Sequence, residues 1–265
     1  MAAVASINGL SLASLKTYSG LAAASLKTWN GLDATTSSWI PTDVAGLQLW
    51  LKADSLALND GDRIATWADQ SGMGNNATAS SGDQPTYKTS VINSKPVARF
   101  AVSGTEGMHG SIVLTSTTCT AFAVCTITSS SQNYARILSL SNTTSLDYNS
   151  AARAAAILRI GTNATVGAYR NNAENSKGTI SYGTFFVVVS VYDGTNNTVY
   201  INGTAQTAVG STGTFNVADY GLGRESTSLA SLLDGDIAEC GCYNSALGTT
   251  DRGNLTTYLK NKYGL

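Results

Sequence analysis

The sequence has few charged residues, and this scarcity excludes several classes of protein. Charged residues make up 12% of the 265 residues, with 16 Lys and Arg against 17 Asp and Glu. A net charge of -1 does not provide the basic surface that binding to nucleic acid requires. Sparse charge also disfavours long solvated helices, whose outer faces are rich in Glu and Lys. We expect a compact β-protein with a surface of Thr, Ser, Asn and Gly and no nucleic-acid partner.

Histidine and long apolar runs are equally scarce. His109 is the only histidine, so a site with two imidazoles is excluded and a Ser or Cys triad would have only this base. Apolar runs such as residues 185–189 are far shorter than the ~20 residues of a membrane-spanning helix. The apolar amino terminus lacks the basic region of a signal peptide. We expect a soluble chain with no membrane partner, no metal site and no cofactor.

The four cysteines form two close pairs in the sequence, Cys119 with Cys125 and Cys240 with Cys242. Both spacings are even, which places the members of a pair on one face of a strand. Neither spacing resembles a zinc knuckle, and neighbours on one strand have poor geometry for a disulfide. Four buried thiols are the favoured interpretation, and a bridge between the two pairs is the alternative.

A tandem repeat with a period of eleven residues occupies the amino-terminal segment. NGLSLASLKTY from Asn8 is followed by SGLAAASLKTW from Ser19 and by NGLD from Asn30. The Asn-Gly and Ser-Gly dipeptides favour tight turns, because glycine adopts positive φ at little cost. The residues between them fit short strands, and an apolar helical stripe is the competing interpretation.

The repeat segment is too short to bury a core of its own, so we expect residues 1–40 to dock on something else. Packing against the rest of the chain is one possibility. We favour the other, an arm for oligomerisation or for anchoring in a larger assembly. The apolar positions assigned to this role are Leu10, Leu12, Leu15, Leu21, Leu26, Trp29 and Leu32.

Short β-rich runs separated by polar turns follow Pro41 and predict a sandwich or barrel. The predicted strands cover residues 47–52, 97–102, 111–115, 121–128, 136–140, 155–160, 166–170, 185–192, 198–202, 220–223 and 235–243. The clearest hairpin turns at Asp193-Gly194, and Asn202-Gly203 makes the next turn. Three successive antiparallel strands are therefore expected in this region.

The carboxyl end predicts one amphipathic helix. Thr249 or Thr250 can cap it, Asp251 suits its first turn, and Gly264 ends it. Its apolar positions follow at helical spacing and include Leu255, Tyr258 and Leu259. This helix is expected to lie against the sandwich.

Several stretches resemble one family of β-sandwich domains. GLQLWLKADSL, DGDRIATWADQSGMGNNATA and QPTYKTSVINSKPVARF are similar to the opening of concanavalin A-like (laminin-G-like) jelly rolls. LLDGDIAECGCYNSALGTTDRGNLTTYLKNKYGL resembles their last strand and terminal helix, and VYDGTNNTVYINGT fits their middle hairpin. The resemblance covers residues 44–265 and implies an all-β, antiparallel jelly-roll sandwich with a C-terminal helix. Trp50 and Trp67, inside these stretches, are expected in the core.

The resemblance does not fix a function, because the family includes glycan binders, glycanases, adhesion modules and virion surface proteins. Glycanases of this fold carry Glu-x-Asp-x-x-Glu, which points three carboxylates into one cleft. Asp234, Asp236 and Glu239 stand at that spacing here, but the first residue is the shorter Asp. Non-catalytic relatives carry the same run on their final strand. We therefore expect an edge or closing strand with Ile237 inward, and no enzyme.

Sugar binding agrees better with the resemblance. Loops and one sheet face of this fold can present aromatic rings to sugars, and Asn, Asp and Arg to their hydroxyls. The candidate glycan-binding residues are Tyr134, Arg136, Tyr148, Arg153, Tyr169 and Arg170. The sequence has no dense acidic loop of the kind that holds calcium.

These observations predict a non-enzymatic structural protein on the surface of a bacteriophage particle. It would be a capsid decoration, a head fibre or a tail-associated protein, with host-surface glycans as ligands. Short Gly-Leu repeats joined to such jelly rolls resemble phage genes, and a nearly neutral surface suits a protein that packs beside its own copies. The expected partners are other virion proteins and further copies of the chain, with a trimer favoured. The alternative is a carbohydrate-binding module that is secreted or displayed on a bacterial cell.

Overall fold

A computed structural model describes the backbone of six short strands within residues 6–33, and then residues 39–129, 134–142, 147, 149–160, 164–225 and 231–265. The chain divides into two compact units, residues 1–40 and 41–265. Each unit is described by itself below.

The first unit contains three short antiparallel hairpins. They pair β1 (Ser6–Ile7) with β2 (Leu10–Ser11), β3 (Thr17–Tyr18) with β4 (Leu21–Ala22), and β5 (Thr28–Trp29) with β6 (Leu32–Asp33). The register is the same in all three, with each inner pair separated by two residues. This pattern confirms the strand interpretation, and the helical alternative is wrong for these residues. The positions Leu12, Leu15 and Leu26 lie outside the described residues, and the role of the arm stays a prediction.

The second unit is a sandwich of antiparallel strands, as the sequence predicts. Its strands are β7 (Leu47–Lys52), β8 (Thr66–Trp67), β9 (Ala77–Thr78), β10 (Thr86–Ile92), β11 (Lys95–Phe100), β12 (Met108–Ser116), β13 (Cys119–Ile127), β14 (Arg136–Ser141), β15 (Ala154–Arg159), β16 (Thr165–Arg170), β17 (Ala173–Thr179), β18 (Phe186–Tyr192), β19 (Asn196–Ile201), β20 (Thr204–Ala205), β21 (Val209–Gly210), β22 (Phe215–Leu222) and β23 (Gly235–Tyr243). Two short 3-10 helices, Pro41–Asp43 and Ala53–Ser55, flank β7.

These strands form two sheets, and the main core lies between them. One sheet has the order β10-β11-β23-β13-β18-β19-β20, with β7 also paired to β23 and β21 to β19. The other has the order β17-β16-β15-β14-β22-β12-β9-β8. Strand alternation builds the core, since β12 buries Met108, Ile112 and Leu114 while His109 and Val113 are exposed.

The core encloses all four cysteines. Each is free and fully buried, on β13 or β23. This confirms the interpretation as buried thiols, and the alternative of a bridge between the pairs is wrong. Trp67 also belongs to this core, whereas Trp50 is buried outside it and donates from Nε1 to Glu239.

The last strand differs from its predicted place. It was expected as an edge or closing strand, but β23 lies inside its sheet, where it pairs with β13 on one side and with β11 and β7 on the other. The segments β11 and β7 share that side because they bind different ends of β23. Ile237 faces the core, as predicted.

The predicted hairpin and terminal helix are present. β18, β19 and β20 are successive antiparallel strands. Helix α1 spans Thr249–Tyr263, and its N-cap is Gly248 instead of Thr249 or Thr250. Gly264 ends it in the left-handed conformation, with φ of 69°. Among the described elements, no helix has both the length and the apolarity to cross a membrane.

Candidate functional site

A cavity of about 280 Å³ opens on the outer face of the sheet that contains β14, β15 and β16. Alternation along β16 defines this face, because Ala168 belongs to the core between the sheets and its neighbour Tyr169 therefore points away from it. The described residues that line the cavity are Tyr134, Arg136, Tyr169, Glu225 and Ser231. Three of these, Tyr134, Arg136 and Tyr169, are candidates from the sequence.

One wall of the cavity is aromatic. The rings of Tyr134 and Tyr169 meet edge to face, with centroids 5.5 Å apart and an interplanar angle of 74°. Leu158 and Ile160 pack against both rings in a cluster separate from the main core. Both tyrosines remain partly exposed. Such a wall can pack against the C–H face of a sugar ring.

Tyr134 is held in an unusual backbone conformation. Its φ is 53°, in the left-handed region that residues other than glycine rarely adopt. Arg136 Nη1 donates to its carbonyl oxygen, and its own hydroxyl donates to Glu174 Oε1 at 3.2 Å. Burial and then this hydrogen bond raise the pKa of Tyr134. The phenol is therefore neutral. Glu174 holds Tyr134 at its hydroxyl and Arg136 holds it at its backbone carbonyl.

The opposite wall is an ion network centred on Arg136. Its Nε and Nη2 donate to the two carboxylate oxygens of Asp147, each at 2.9 Å. Nη2 also donates to Glu225 Oε1 at 3.3 Å, and Ser231 Oγ donates to the same oxygen at 3.4 Å. None of the three charged side chains is more than 7% exposed.

This network positions the cavity wall more than it stabilises the fold. Burying charges costs solvation energy that the ion pairs only partly recover, so a buried network is a weak source of stability. Its geometric effect is stronger, because Asp147 lies between β14 and β15 while Glu225 follows β22. The network therefore connects segments that are distant in sequence, since Glu225 is 89 positions from Arg136, and the bidentate pair with Asp147 fixes the orientation of the guanidinium.

Two other sequence candidates, Arg170 and Arg153, are not among the described residues that line this cavity. Arg170 is 1% exposed and faces the core, with its guanidinium 3.8 Å from the centroid of the Phe215 ring. It donates to the carbonyl oxygens of Ala151 and Gly213. This position takes Arg170 out of the candidate site. Arg153 is 8% exposed and donates to Asn142 Oδ1 at 3.4 Å. Tyr148 lies outside the described residues.

Sequence reasoning missed three members of the site. Asp147, Glu225 and Ser231 belong to no motif, and Glu225 is 89 positions from its partner Arg136. The one available signal was the scarcity of charge. In a chain with 12% charged residues, an Asp or Glu within a Ser/Thr-rich stretch is uncommon enough to be noted.

The three carboxylates of the glycanase-like motif do not meet in one cleft, because Asp234 and Asp236 line a cavity with Arg99 whereas Glu239 is not among its lining residues. Asp236 forms a bidentate ion pair with Arg99, with N–O distances of 2.8 and 2.9 Å. Asp234 accepts a hydrogen bond from Ser129 Oγ. Glu239 is fully buried. Its carboxylate accepts from Trp50 Nε1 at 2.6 Å, Lys262 Nζ at 2.7 Å and Tyr263 OH at 2.9 Å.

These contacts leave the three carboxylates in separate roles, and Glu239 is enclosed beneath the terminal helix. Among the residues that the structure describes, no group of three or more His, Cys, Asp and Glu side chains is arranged to hold a metal ion.

Comparison by sequence identifies one family. The model of the concanavalin A-like lectin/glucanases superfamily, in its Laminin_G_3 form, matches residues 101–251. This range includes β14 to β16, Glu225 and Ser231. No curated protein matches the sequence significantly.

Comparison by structure finds the same kind of fold in larger proteins. Trypanosoma rangeli sialidase in complex with sialic acid matches with a TM-score of 0.53 and 14% identity, over 89% of this chain and 35% of that chain. The binding domain of botulinum neurotoxin serotype G matches with a TM-score of 0.57 and 13% identity, over 81% and 51%. The serotype D binding domain gives 0.54 and 10%, over 82% and 51%. The chain thus spans about a third to a half of these proteins, and identities this low establish the fold alone.

Proposed function

This chain belongs to the concanavalin A-like lectin/glucanase superfamily, and from that premise we propose that it is a non-enzymatic glycan-binding protein of a bacteriophage surface. In this proposal the jelly roll adheres to host-surface glycans through the cavity between Tyr134, Tyr169 and Glu225. The repeat arm of residues 1–40 attaches it, as a homo-oligomer, to other virion proteins.

The combination of an aromatic wall and a polar wall in one cavity carries the proposal. A sugar ring has apolar C–H faces and a rim of hydroxyls, so it needs both kinds of surface at once. The tyrosine pair supplies the first, and Glu225 with Ser231 supplies the second. Glu225 is the single carboxylate among the described lining residues, whereas hydrolysis of glycosides ordinarily uses two. Binding without cleavage is the function that this arrangement supports.

The repeat pattern of residues 1–40 supports the proposed attachment to other virion proteins as a homo-oligomer. Strands of two residues are too short to be stable as isolated hairpins. Three hairpins with one register recur at an interval of eleven residues. Such a segment is suited to pairing with identical copies, as in a symmetric trimer, or with a repetitive partner.

A glycan array with the full chain tests the binding function. We expect binding that Tyr169→Leu weakens about tenfold or more, because the change removes the ring but keeps an apolar side chain against Leu158. Tyr200→Leu is the matched control, since Tyr200 lies on β19 in the other sheet beneath Arg252. Both variants should melt near the parent temperature. A chain that binds no glycan, or a Tyr169→Leu variant that binds as well as the parent, would refute this part.

Deletion of residues 1–40 tests the attachment. Light scattering should show an oligomer for the full chain and a monomer for the deletion variant, and only the full chain should be incorporated into particles. The phage assignment itself can be checked by imaging purified particles for this chain. A full-length monomer that binds glycans and is absent from particles would point instead to a carbohydrate-binding module of a bacterium.

A further inference from the structure

We infer that the Tyr134–Tyr169 cavity selects a single uncharged pyranose ring and rejects sugar acids. This inference rests on the proposed glycan-binding function and specifies its ligand. Two observations determine it, the size of the cavity and the balance of charge in its polar wall.

The size of the cavity limits the ligand. Its volume of about 280 Å³ lies just below the ~300 Å³ at which pockets for drug-sized ligands begin. A single ring packed on the tyrosine wall uses this space. A disaccharide can place only one of its units inside.

The charge of the polar wall disfavours anions. In the described ion pairs of this wall one cation, Arg136, faces two anions, Asp147 and Glu225, so these three side chains together carry one negative charge. Near the rim, Glu174 is balanced by its ion pair with Lys177. A ligand carboxylate would enter a partly desolvated site next to the Glu225 carboxylate, where repulsion between like charges is poorly screened.

Arg136, the cation among the described lining residues, already donates to protein acceptors. All three nitrogens of the Arg136 guanidinium donate to the protein: Nε and Nη2 to Asp147, Nη2 also to Glu225, and Nη1 to the Tyr134 carbonyl oxygen. A bidentate clamp on a ligand carboxylate would require the guanidinium to leave Asp147, and a buried Asp147 without its partner is costly. Arg159 offers no substitute, because it is fully buried and follows Leu158 on the other face of β15.

Uncharged sugars are not repelled by the Glu225 carboxylate and can hydrogen-bond to it. The Glu225 carboxylate accepts hydrogen bonds from hydroxyl groups or from an amide N–H, and Ser231 Oγ can both donate and accept. The undescribed residues that neighbour these segments in the sequence carry no charge of their own. Residues 130–133, 143–146, 148, 161–163 and 226–230 contain no Lys, Arg, Asp or Glu.

Matched sugars test the inference on the full chain. Calorimetric titration compares methyl galactoside with methyl galacturonide and methyl glucoside with methyl glucuronide, pairs that differ only in the carboxylate at C6. We expect each acid to bind roughly 30-fold more weakly than its neutral counterpart at low salt. The ratio should shrink as the salt concentration rises.

Glu225→Gln is the informative variant. It removes the excess negative charge but keeps an accepting oxygen, so the acids should gain affinity relative to the neutral sugars. Glu106→Gln is the matched control, because Glu106 is similarly buried, 6% exposed against 5%, and pairs with Arg63 far along the chain. It should leave the ratio unchanged. The comparison of neutral and acidic sugars on the parent chain tests the preference for uncharged rings even if a variant does not fold.

The outcomes separate the two claims. Tighter binding of the acids, or equal binding of acids and neutral sugars, overturns this inference and leaves glycan binding intact. Failure to bind any sugar, on the array or by titration, refutes the proposed function itself.

Discussion

Glu239 lies beneath the terminal helix, where its carboxylate accepts hydrogen bonds from Trp50, Lys262 and Tyr263. Lys262 also contacts Asp54 at 3.1 Å. A carboxylate that is fully buried and accepts hydrogen bonds from several side chains is a structural connection between β23, β7 and α1. The glycanase-like spacing of Glu239 does not predict these contacts. Spacing along one strand does not show which helix or side chains pack over that strand.

Replacing Glu239 by Leu should therefore destabilise the protein strongly. The variant leaves the Trp50 and Tyr263 donors and the Lys262 ammonium without their acceptor, and removing one partner from a buried ion pair typically costs about 3–5 kcal/mol. Urea unfolding followed by fluorescence measures the change. Lys88→Met, which removes only the exposed ion pair with Asp60, should hardly move the midpoint. Similar small effects in both variants would contradict the structural role of Glu239.

Asp219 is the opposite case, a carboxylate that the fold does not satisfy. Its Oδ2 is buried and has no hydrogen-bond partner among the described residues. Burial raises the pKa of Asp219, although nearby His109 opposes the shift. The folded state therefore holds the proton more tightly than the unfolded state does. Stability is lost as the pH rises through the raised pKa.

Asp219→Asn should consequently raise the melting temperature at pH 7. The amide cannot ionise, so the variant avoids the cost that the ionised carboxylate carries in the folded state. The advantage should decrease as the pH falls below the ordinary range of Asp, where the parent is protonated in both states. Melting curves from pH 3 to pH 8 would show this. An advantage that is independent of pH would contradict it.

At the scale of elements, the sequence predicts strands well where apolar residues repeat. β7 and β23 have the predicted bounds, because both are apolar runs buried by the sandwich. β17, with the sequence AENSKGT, was missed since it is a polar edge strand whose position depends on pairing with β16. The same limit applies to the site. Tyr134 and Tyr169 could be nominated by residue type, but the approach of Glu225 to Arg136 arises only from the folded sheet.

Two glycines in neighbouring elements should respond oppositely to the same substitution. In β23, a Cβ on Gly241 would lie 2.2 Å from the Leu49 carbonyl oxygen and 2.7 Å from Phe122 Cζ, so Gly241→Ala should cost about 2–3 kcal/mol. In α1, no described heavy atom lies within 4 Å of a Cβ on Gly253. Gly253→Ala should therefore stabilise the helix by about 0.5–1 kcal/mol. Calorimetry of the two variants tests the pair, and a shift of the same sign in both would contradict the packing around β23.

For the whole molecule, the cysteines report on global unfolding. All four are fully buried in the core between the sheets. Burial raises the pKa of Cys119 to about 12 and shifts the other three in the same direction. A thiol must ionise to react, so none of the four is reactive while the sandwich is closed.

Labelling with a thiol reagent at pH 8 should therefore modify no cysteine of the native protein on the timescale of minutes. All four should react in denaturant, and slow labelling in buffer should follow the rate of global unfolding. A reducing agent should leave the melting temperature unchanged, because the fold contains no disulfide among these cysteines. Fast labelling of even one thiol would show a local opening of β13 or β23.

The repeated hairpins of the arm also have a consequence for its length. Each hairpin pairs residues that are at most five positions apart, as in Ser6 with Ser11 and Thr17 with Ala22. Among the six described strands, each pairs within its own hairpin. A unit of eleven residues can therefore be inserted or removed without leaving a strand unpaired, whereas the same change inside the jelly roll would disrupt the sheets. The length of the repeat segment can therefore change in steps of eleven residues while the jelly roll keeps its sequence, so the two units can vary independently among related chains.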